Sequence, residues 1–274
     1  MGLFRCPVCR AGLSEDEGAY KCKNGHAFDI SGRNYVNLLI SNGRGKRHGD
    51  DKLMVKARAD FLAKGYYDGI SRAVCRMVRR YMPRGGVLID CGCGEGKYTK
   101  DIYDDLEGCG KGARIYGIDI SKDALYYGGK RCRGMRFAVA SAANMPFFDG
   151  SADVICELFS LFAEGEFQRV LKQGGVVIEA VPRERHLIEL KEAVYDKAYL
   201  NPPPIFRHDG FEALETENAD YKIHLDNAAD IENLFKMTPY YYKTGENDQN
   251  KLKNITALDT SVSVAVTAYR KVLR

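Results

Sequence analysis

The 274 residues hold 45% apolar and 28% charged side chains at a net charge of +4, an ordinary globular balance with room for one large α/β domain plus a small module, or two modest domains. No stretch approaches the roughly 18–20 consecutive apolar residues that span a bilayer, which excludes a membrane partner. The start, Met1-Gly-Leu-Phe-Arg-Cys6, lacks a secretory signal's apolar run and a myristoylation pattern, so a cytoplasmic protein is expected, whose nine cysteines read as thiols or metal ligands.

Residues 1–40 read as a separate module. They are short, Gly-punctuated and poor in periodic apolar pattern, and such a piece needs a staple to fold. Cys6-x2-Cys9-x12-Cys22-x3-His26 supplies one. Two pairs at this spacing wrap four ligands tetrahedrally around zinc, and four protein ligands leave no open position, so the metal is structural. The alternative is a set of unliganded thiols with an incidental histidine. Residues 1–60 also carry eleven Lys/Arg against seven Asp/Glu, the whole net excess. That favours a polyanion such as RNA, although an ordinary solvated surface explains it equally well.

Residues 41–82 form a linker and helical region. The polar stretch 41–52, with Arg44, Lys46 and Arg47, reads as a basic arm. From Leu53 to Tyr81 the apolar spacing is helical, and Gly65 breaks it in two. In residues 83–274 strand and helix signals alternate. Gly86–Cys91, Arg114–Ile120, Met135–Ala140, Asp153–Leu158 and Val176–Val181 read as strands. Helices are expected near Lys97–Asp105, Lys122–Lys130 (with Ser121 as N-cap) and Phe167–Leu171. This rhythm implies a parallel sheet covered by helices on both faces. Ser261–Tyr269 alternates with period two, as an antiparallel edge strand would.

The chemistry concentrates after the first of these strands. Asp90 ends it, and Gly92, Gly94 and Gly96 follow, letting the backbone turn sharply and approach a ligand. The third Gly comes one residue too early for a dinucleotide fingerprint. Asp119, ending the second strand, is placed to accept hydrogen bonds from ribose hydroxyls, and Asp90 to hold a ligand's ammonium. Ser141, Asn144 and Met145, after the third strand, are candidates to flank an adenine, with ordinary loop and core as the alternative. Cys91 and Cys93 fit as small loop side chains, not nucleophiles. With these features the chain resembles the S-adenosylmethionine-dependent methyltransferases of Rossmann-like fold, which implies a site for that cofactor here. The expected sheet is mostly parallel and seven-stranded, with an antiparallel edge strand.

The chain resembles the 23S rRNA guanine-N1 methyltransferases over nearly its whole length. The resemblance rests on the zinc motif, His26-Ala-Phe-Asp29, Tyr35-Val-Asn-Leu38, Gly49-Asp50 with Met54, Ala57-Arg58, Phe61-Leu62, Gly65 and Tyr67. It continues through Asp90–Gly96, Val170-Leu-Lys172, Gly174-Gly175, Arg185-His-Leu187, Glu189-Leu-Lys191 and Met237-Thr-Pro239. It implies that Cys6, Cys9, Cys22 and His26 bind zinc, that Tyr67, Gly94, Glu95 and His186 contact S-adenosylmethionine, and that 23S rRNA is the substrate. A homodimer stays an open alternative. The chain departs from the family after the fourth strand, where members carry a proline and this sequence has Leu161 within Glu157-Leu-Phe-Ser-Leu-Phe162; the acceptor turn is therefore its own.

Guanine N1 lies on the Watson–Crick edge and bears a proton, so the base must be unpaired or flipped out. Phe159, Phe162 and Tyr240–Tyr242 are candidates to stack on it, or else core. No general base is identifiable; Glu157 is a positional candidate that the resemblance does not carry. Two rival functions remain: a small-molecule methyltransferase with the zinc module as a lid, and a non-catalytic RNA-binding protein with a vestigial fold. Bound S-adenosylmethionine separates the second from an enzyme; methyl transfer to rRNA separates the first.

Overall fold

The computed structural model describes residues 2–40, 49–131 and 134–272; Arg44, Lys46 and Arg47 of the basic arm lie outside the described residues. A small antiparallel sheet opens the chain: β1 (Leu13–Asp16), β2 (Ala19–Cys22) and β3 (Ala27–Asp29). Then come β4 (Tyr35–Asn37), α1 (Lys52–Leu62) and α2 (Asp68–Tyr81). Asp51 caps α1 by accepting from the Met54 N–H at 3.0 Å, and Gly65 breaks the two helices at φ +81°. The alternating part runs β5 (Val87–Cys91), α3 (Lys97–Gly108), β6 (Arg114–Asp119), α4 (Lys122–Arg131), β7 (Arg136–Val139), β8 (Ala152–Leu158), α5 (Glu164–Val170) and β9 (Leu171–Pro182). It closes with α6 (Ile188–Val194), β10 (Phe211–Leu225), α7 (Ala228–Lys236), α8 (Glu246–Lys251) and β11 (Leu258–Lys271). Ser121 caps α4 as its side-chain chemistry predicts, accepting from the Ala124 N–H at 3.2 Å.

The main sheet has the order β10-β11-β9-β8-β5-β6-β7-β4. It is Rossmann-like and mostly parallel, but two expectations need correction. It has eight strands, not seven, because β4 of the N-terminal module pairs in parallel with β7, in the register Tyr35↔Phe137, Val36↔Ala138, Asn37↔Val139. That pairing satisfies an edge that would otherwise present unpaired backbone groups. The antiparallel strand β11 is not at the edge either; it lies between β9 and β10, antiparallel to both. Its second half explains why: Val264, Ala265, Val266, Ala268 and Tyr269 are all buried, so neither face is wet. The true edge is β10, whose Glu215 and Glu217 pair with Arg80 and Arg76 of α2.

Helices cover both faces of the sheet, but unequally. Alternation along β5 sends Leu88 to one face, with α1, α2, α3, α6 and α7. Val87, Ile89 and Cys91 go to the other, where they meet α5 and the N-terminal module. Phe4 is fully buried there, edge-on to Tyr116 (centroids 5.3 Å) and against Phe147 (5.4 Å). The module thus replaces part of a helical layer and shares the core of the sheet. The segment between β3 and β4 is seated on α4: a Cβ on Gly129 would stand 1.8 Å from the Arg33 carbonyl oxygen, so only glycine permits this approach.

Candidate cofactor and metal sites

Two knuckles present the N-terminal ligands. The Arg10 N–H returns to the Cys6 carbonyl at 2.9 Å, and the Gly25 N–H to that of Cys22 at 3.0 Å. Cys6, Cys9, Cys22 and His26 converge so that their donor atoms all lie within 4.8 Å of one another. With zinc–sulfur and zinc–nitrogen bonds of about 2.3 and 2.0 Å, tetrahedral ligand atoms stand roughly 3.5–3.8 Å apart. The separations fit: Cys9 Sγ to Cys22 Sγ is 3.7 Å, and His26 Nδ1 is 3.6 Å from Cys6 Sγ and 3.3 Å from Cys22 Sγ. The Ala11 backbone N–H draws the Cys9 thiol down to about 6, which favours the thiolate that zinc requires.

The second site forms at the C-terminal ends of β5 and β6, where parallel sheets receive ligands. Gly92, Gly94 and Gly96 all have positive φ, at 80°, 55° and 80°. Asp119 braces the loop from the neighbouring strand, one carboxylate oxygen accepting from the Gly94 N–H at 2.9 Å and the other from the Ser121 N–H at 2.7 Å. Asp90 is buried, and Thr99 donates to its Oδ2 at 2.6 Å. Burial first, then Asp119 and Glu95 working against the Thr99 hydrogen bond, pushes its carboxyl up to about 7.

Two buried polar atoms around this loop have no partner among the described residues, Asp90 Oδ1 and Tyr98 Oη; Glu95 Oε1 accepts no hydrogen bond but faces the Arg131 guanidinium at 3.5 Å. Each unpaired atom costs about 1–3 kcal/mol, and Asp90 Oδ1 with the neighbouring Glu95 carboxylate marks a cradle shaped for a polar ligand, with Tyr98 Oη standing beside it. Two acidic acceptors suit a cationic amino group. Arg58 lies at the same rim; a Cβ on Gly94 would be 3.8 Å from its Nη1. Arg58 is ion-paired with Asp50 at 2.5 Å and donates to the Met237 carbonyl at 3.3 Å.

Tyr67 and His186, distant in sequence, meet here: Tyr67 Oη and His186 Nε2 are 3.3 Å apart, and both residues are buried. The Ser263 N–H donates to His186 Nδ1 at 3.2 Å, so the imidazole proton resides on Nε2, pointing at Tyr67. Burial lowers the histidine to about 4, which keeps it neutral. The Asn201 side-chain amide holds its turn, donating to the carbonyls of Arg183 and His186 at 3.0 and 3.2 Å.

Beyond β7 the residues separate. Ser141 and Asn144 form an isolated bridge, and Asn144 Oδ1 accepts from Arg10 of the zinc module at 3.4 Å. The Met145 side chain is fully buried in the core beneath that module; its N–H donates to Glu166 at 2.6 Å and its carbonyl accepts from Arg169 at 3.0 Å, so the expected adenine contact at Met145 needs correction. Of the stacking candidates, Phe159 packs beside Tyr98 and His186, and Tyr242 donates to Asp51 at 2.7 Å. Phe162 is sandwiched against His208, with centroids 3.5 Å apart, and Tyr240 bonds Asn201 at 3.0 Å. Glu157 is fully buried and accepts from the Ser160 N–H; burial, then Glu179, pushes it up to about 7. It supports the acceptor turn from beneath. Arg58 and Tyr98 are what the sequence reading missed. Their only signals were a place in the Ala57-Arg58 motif and a position two residues after the last loop glycine.

The family model described as RlmA, N-terminal, a zinc ribbon, matches residues 4–44, and one described as a methyltransferase domain matches residues 88–175. The solved structure of YcgJ from Bacillus subtilis superposes with a TM-score of 0.51 at 14% identity, covering 74% of this chain and 99% of that one, a likeness of fold. Fold and site define an S-adenosylmethionine-dependent methyltransferase carrying a zinc ribbon. YxjB of Bacillus subtilis strain 168, a candidate 23S rRNA (guanine-N(1)-)-methyltransferase, is 30% identical over 96% of this chain and 95% of its own length. The 23S rRNA (guanine(748)-N(1))-methyltransferase of Streptomyces fradiae is 31% identical over 70% of this chain and 67% of its own length. The chain belongs to this 23S rRNA guanine-N1 methyltransferase family.

Proposed function

We propose that this protein transfers a methyl group from S-adenosylmethionine to N1 of a guanine in 23S rRNA, in the cytoplasm. The observation that carries the reading is that likeness to the family runs through both parts of the chain, zinc ribbon and methyltransferase sheet, over 96% of its length. Cys6, Cys9, Cys22 and His26 hold the zinc. Asp90 and Glu95 take the cofactor's ammonium, and Asp119 its ribose. Ser141 and Asn144 line the adenine side, while Tyr67 and neutral His186 close over the methionyl end.

The cofactor's sulfonium supplies an electrophilic methyl, so the chain's task is alignment of the acceptor with it. Neutral His186 suits a site that binds a sulfonium, since an imidazolium there would repel it. Asp119 holds the glycine loop in its ligand-receiving shape. The zinc ribbon braces the same sheet from the opposite face and fixes the loop ends that follow β7.

Methylation at N1 destroys the Watson–Crick edge and stops reverse transcription at the modified base. Primer extension on 23S rRNA from cells with and without the gene should show one stop that disappears in the deletion and returns when purified protein and S-adenosylmethionine are added. Identical stop patterns in both strains would refute the assignment.

A further inference from the structure

Tyr98 stands in the first turn of α3, just beyond the glycine loop. Its hydroxyl oxygen is buried and without a hydrogen-bond partner among the described residues. Phenylalanine would pack there equally well without the desolvation cost of a dry hydroxyl. The Tyr98 ring lies against Phe159, with centroids 6.4 Å apart, and Phe159 stacks over His186 at 6.5 Å and 23°. Phe159 is 40% exposed and sits at φ +60°, a left-handed conformation that is uncommon for an aromatic residue. The acceptor turn therefore displays an aromatic face beside an unpaired donor.

Sheet order decides what this pair addresses. β5 is flanked by β6 on one side and β8 on the other. Asp119, proposed to hold the ribose, ends β6, whereas Phe159 follows β8. Tyr98 thus leans to the side opposite the ribose, next to the turn where the acceptor enters.

We propose that the Tyr98 hydroxyl donates a hydrogen bond to O6 of the acceptor guanine while Phe159 stacks on its ring. This rests on the guanine-N1 reading above. In the reaction N1 gives its proton to solvent water, and the electron pair left behind is shared with O6. N1 then bonds to the methyl carbon as the carbon–sulfur bond breaks, leaving a neutral thioether. Negative charge on O6 is greatest between proton loss and methyl arrival, so a donor there stabilises the transition state more than bound substrate. Burial, then Tyr67 and Glu95, holds the Tyr98 phenol well above its ordinary range, so it stays a donor throughout neutral pH.

The test is Tyr98→Phe in the full-length, zinc-loaded protein. Deleting an unpaired hydroxyl should leave the melting temperature at or above wild type and the calorimetric Kd for S-adenosylmethionine within about twofold. Turnover of unmodified 23S rRNA should fall about a hundred- to a thousandfold in kcat, the scale of a lost oxyanion donor, and its pH–rate midpoint should move upward. Wild-type kcat in the variant overturns the proposal. So does a weakened cofactor Kd with kcat intact at saturating cofactor, which would assign the hydroxyl to the cofactor. If the wild-type protein itself leaves guanine N1 unmodified, the functional reading falls and this inference with it; the variant comparison isolates failure of the inference alone.

Discussion

Asp90 is the cradle residue whose carboxyl changes charge near neutrality. Its carboxyl is raised to about 7 by burial and by Asp119 and Glu95, so near neutrality the free protein holds it partly protonated. A raised carboxyl costs stability as pH climbs from its unfolded value near 4 through 7, and a cation that binds only the ionised form recovers that cost. S-Adenosylmethionine affinity should therefore weaken as pH falls below about 7, by up to about tenfold per unit. Asp90→Asn should bind more weakly at pH 8 and lose this dependence. Calorimetry from pH 6 to 8 in buffers of different ionisation enthalpy would show the linked proton; a flat profile for the wild type would place the ammonium elsewhere.

Among the elements, the contact of the β3–β4 segment on α4 is the most sharply constrained. A Cβ at Gly129 would stand 1.8 Å from a backbone carbonyl, so Gly129→Ala should cost about 1–3 kcal/mol as the segment is displaced. Thermal melting should register this, and wild-type stability would show that the segment is not held there. Cys9→Ser should lower zinc content and loosen residues 2–40 to proteolysis while changing cofactor affinity less than about threefold. Unchanged metal content would remove Cys9 from the ligand set. Much of this architecture was legible, because the signals are local: the four-ligand spacing, the Gly65 break, the Ser121 cap and the strand ends carrying Asp90 and Asp119. What was not legible is long-range. β10 carries Glu212, Glu215, Glu217 and Asp220, a charge pattern that hides a strand until α2 arginines are placed against it. β4 has three residues, too few for periodicity, and exists because β7 offers an edge. Tyr98 and Phe159 became partners only when α3 and the turn after β8 were folded together.

For the whole molecule, the shared core matters most. Phe4 lies fully buried against Tyr116 and Phe147 of the main sheet, although the sequence marks it as part of a separate module. Phe4→Ala should therefore cost about 3–5 kcal/mol and lower a single cooperative unfolding transition. Calorimetry resolving two transitions, with only the smaller one shifted, would show instead that ribbon and sheet unfold independently.

The pairing of β4 with β7 also imposes an order on synthesis. Tyr35–Asn37 leaves the translating ribosome early, but its partner beginning at Arg136 follows roughly 100 residues later, a delay of about 5–20 s at ordinary elongation rates. Through that interval the zinc ligands, all within 21 residues of one another, can close on the metal while the strand beyond them has nothing to join. The first segment made is thus among the last to reach its final place. Zinc supplied during translation should raise the yield of native protein more than zinc supplied afterwards, since a ribbon still open when β7 arrives leaves that edge free to pair between chains.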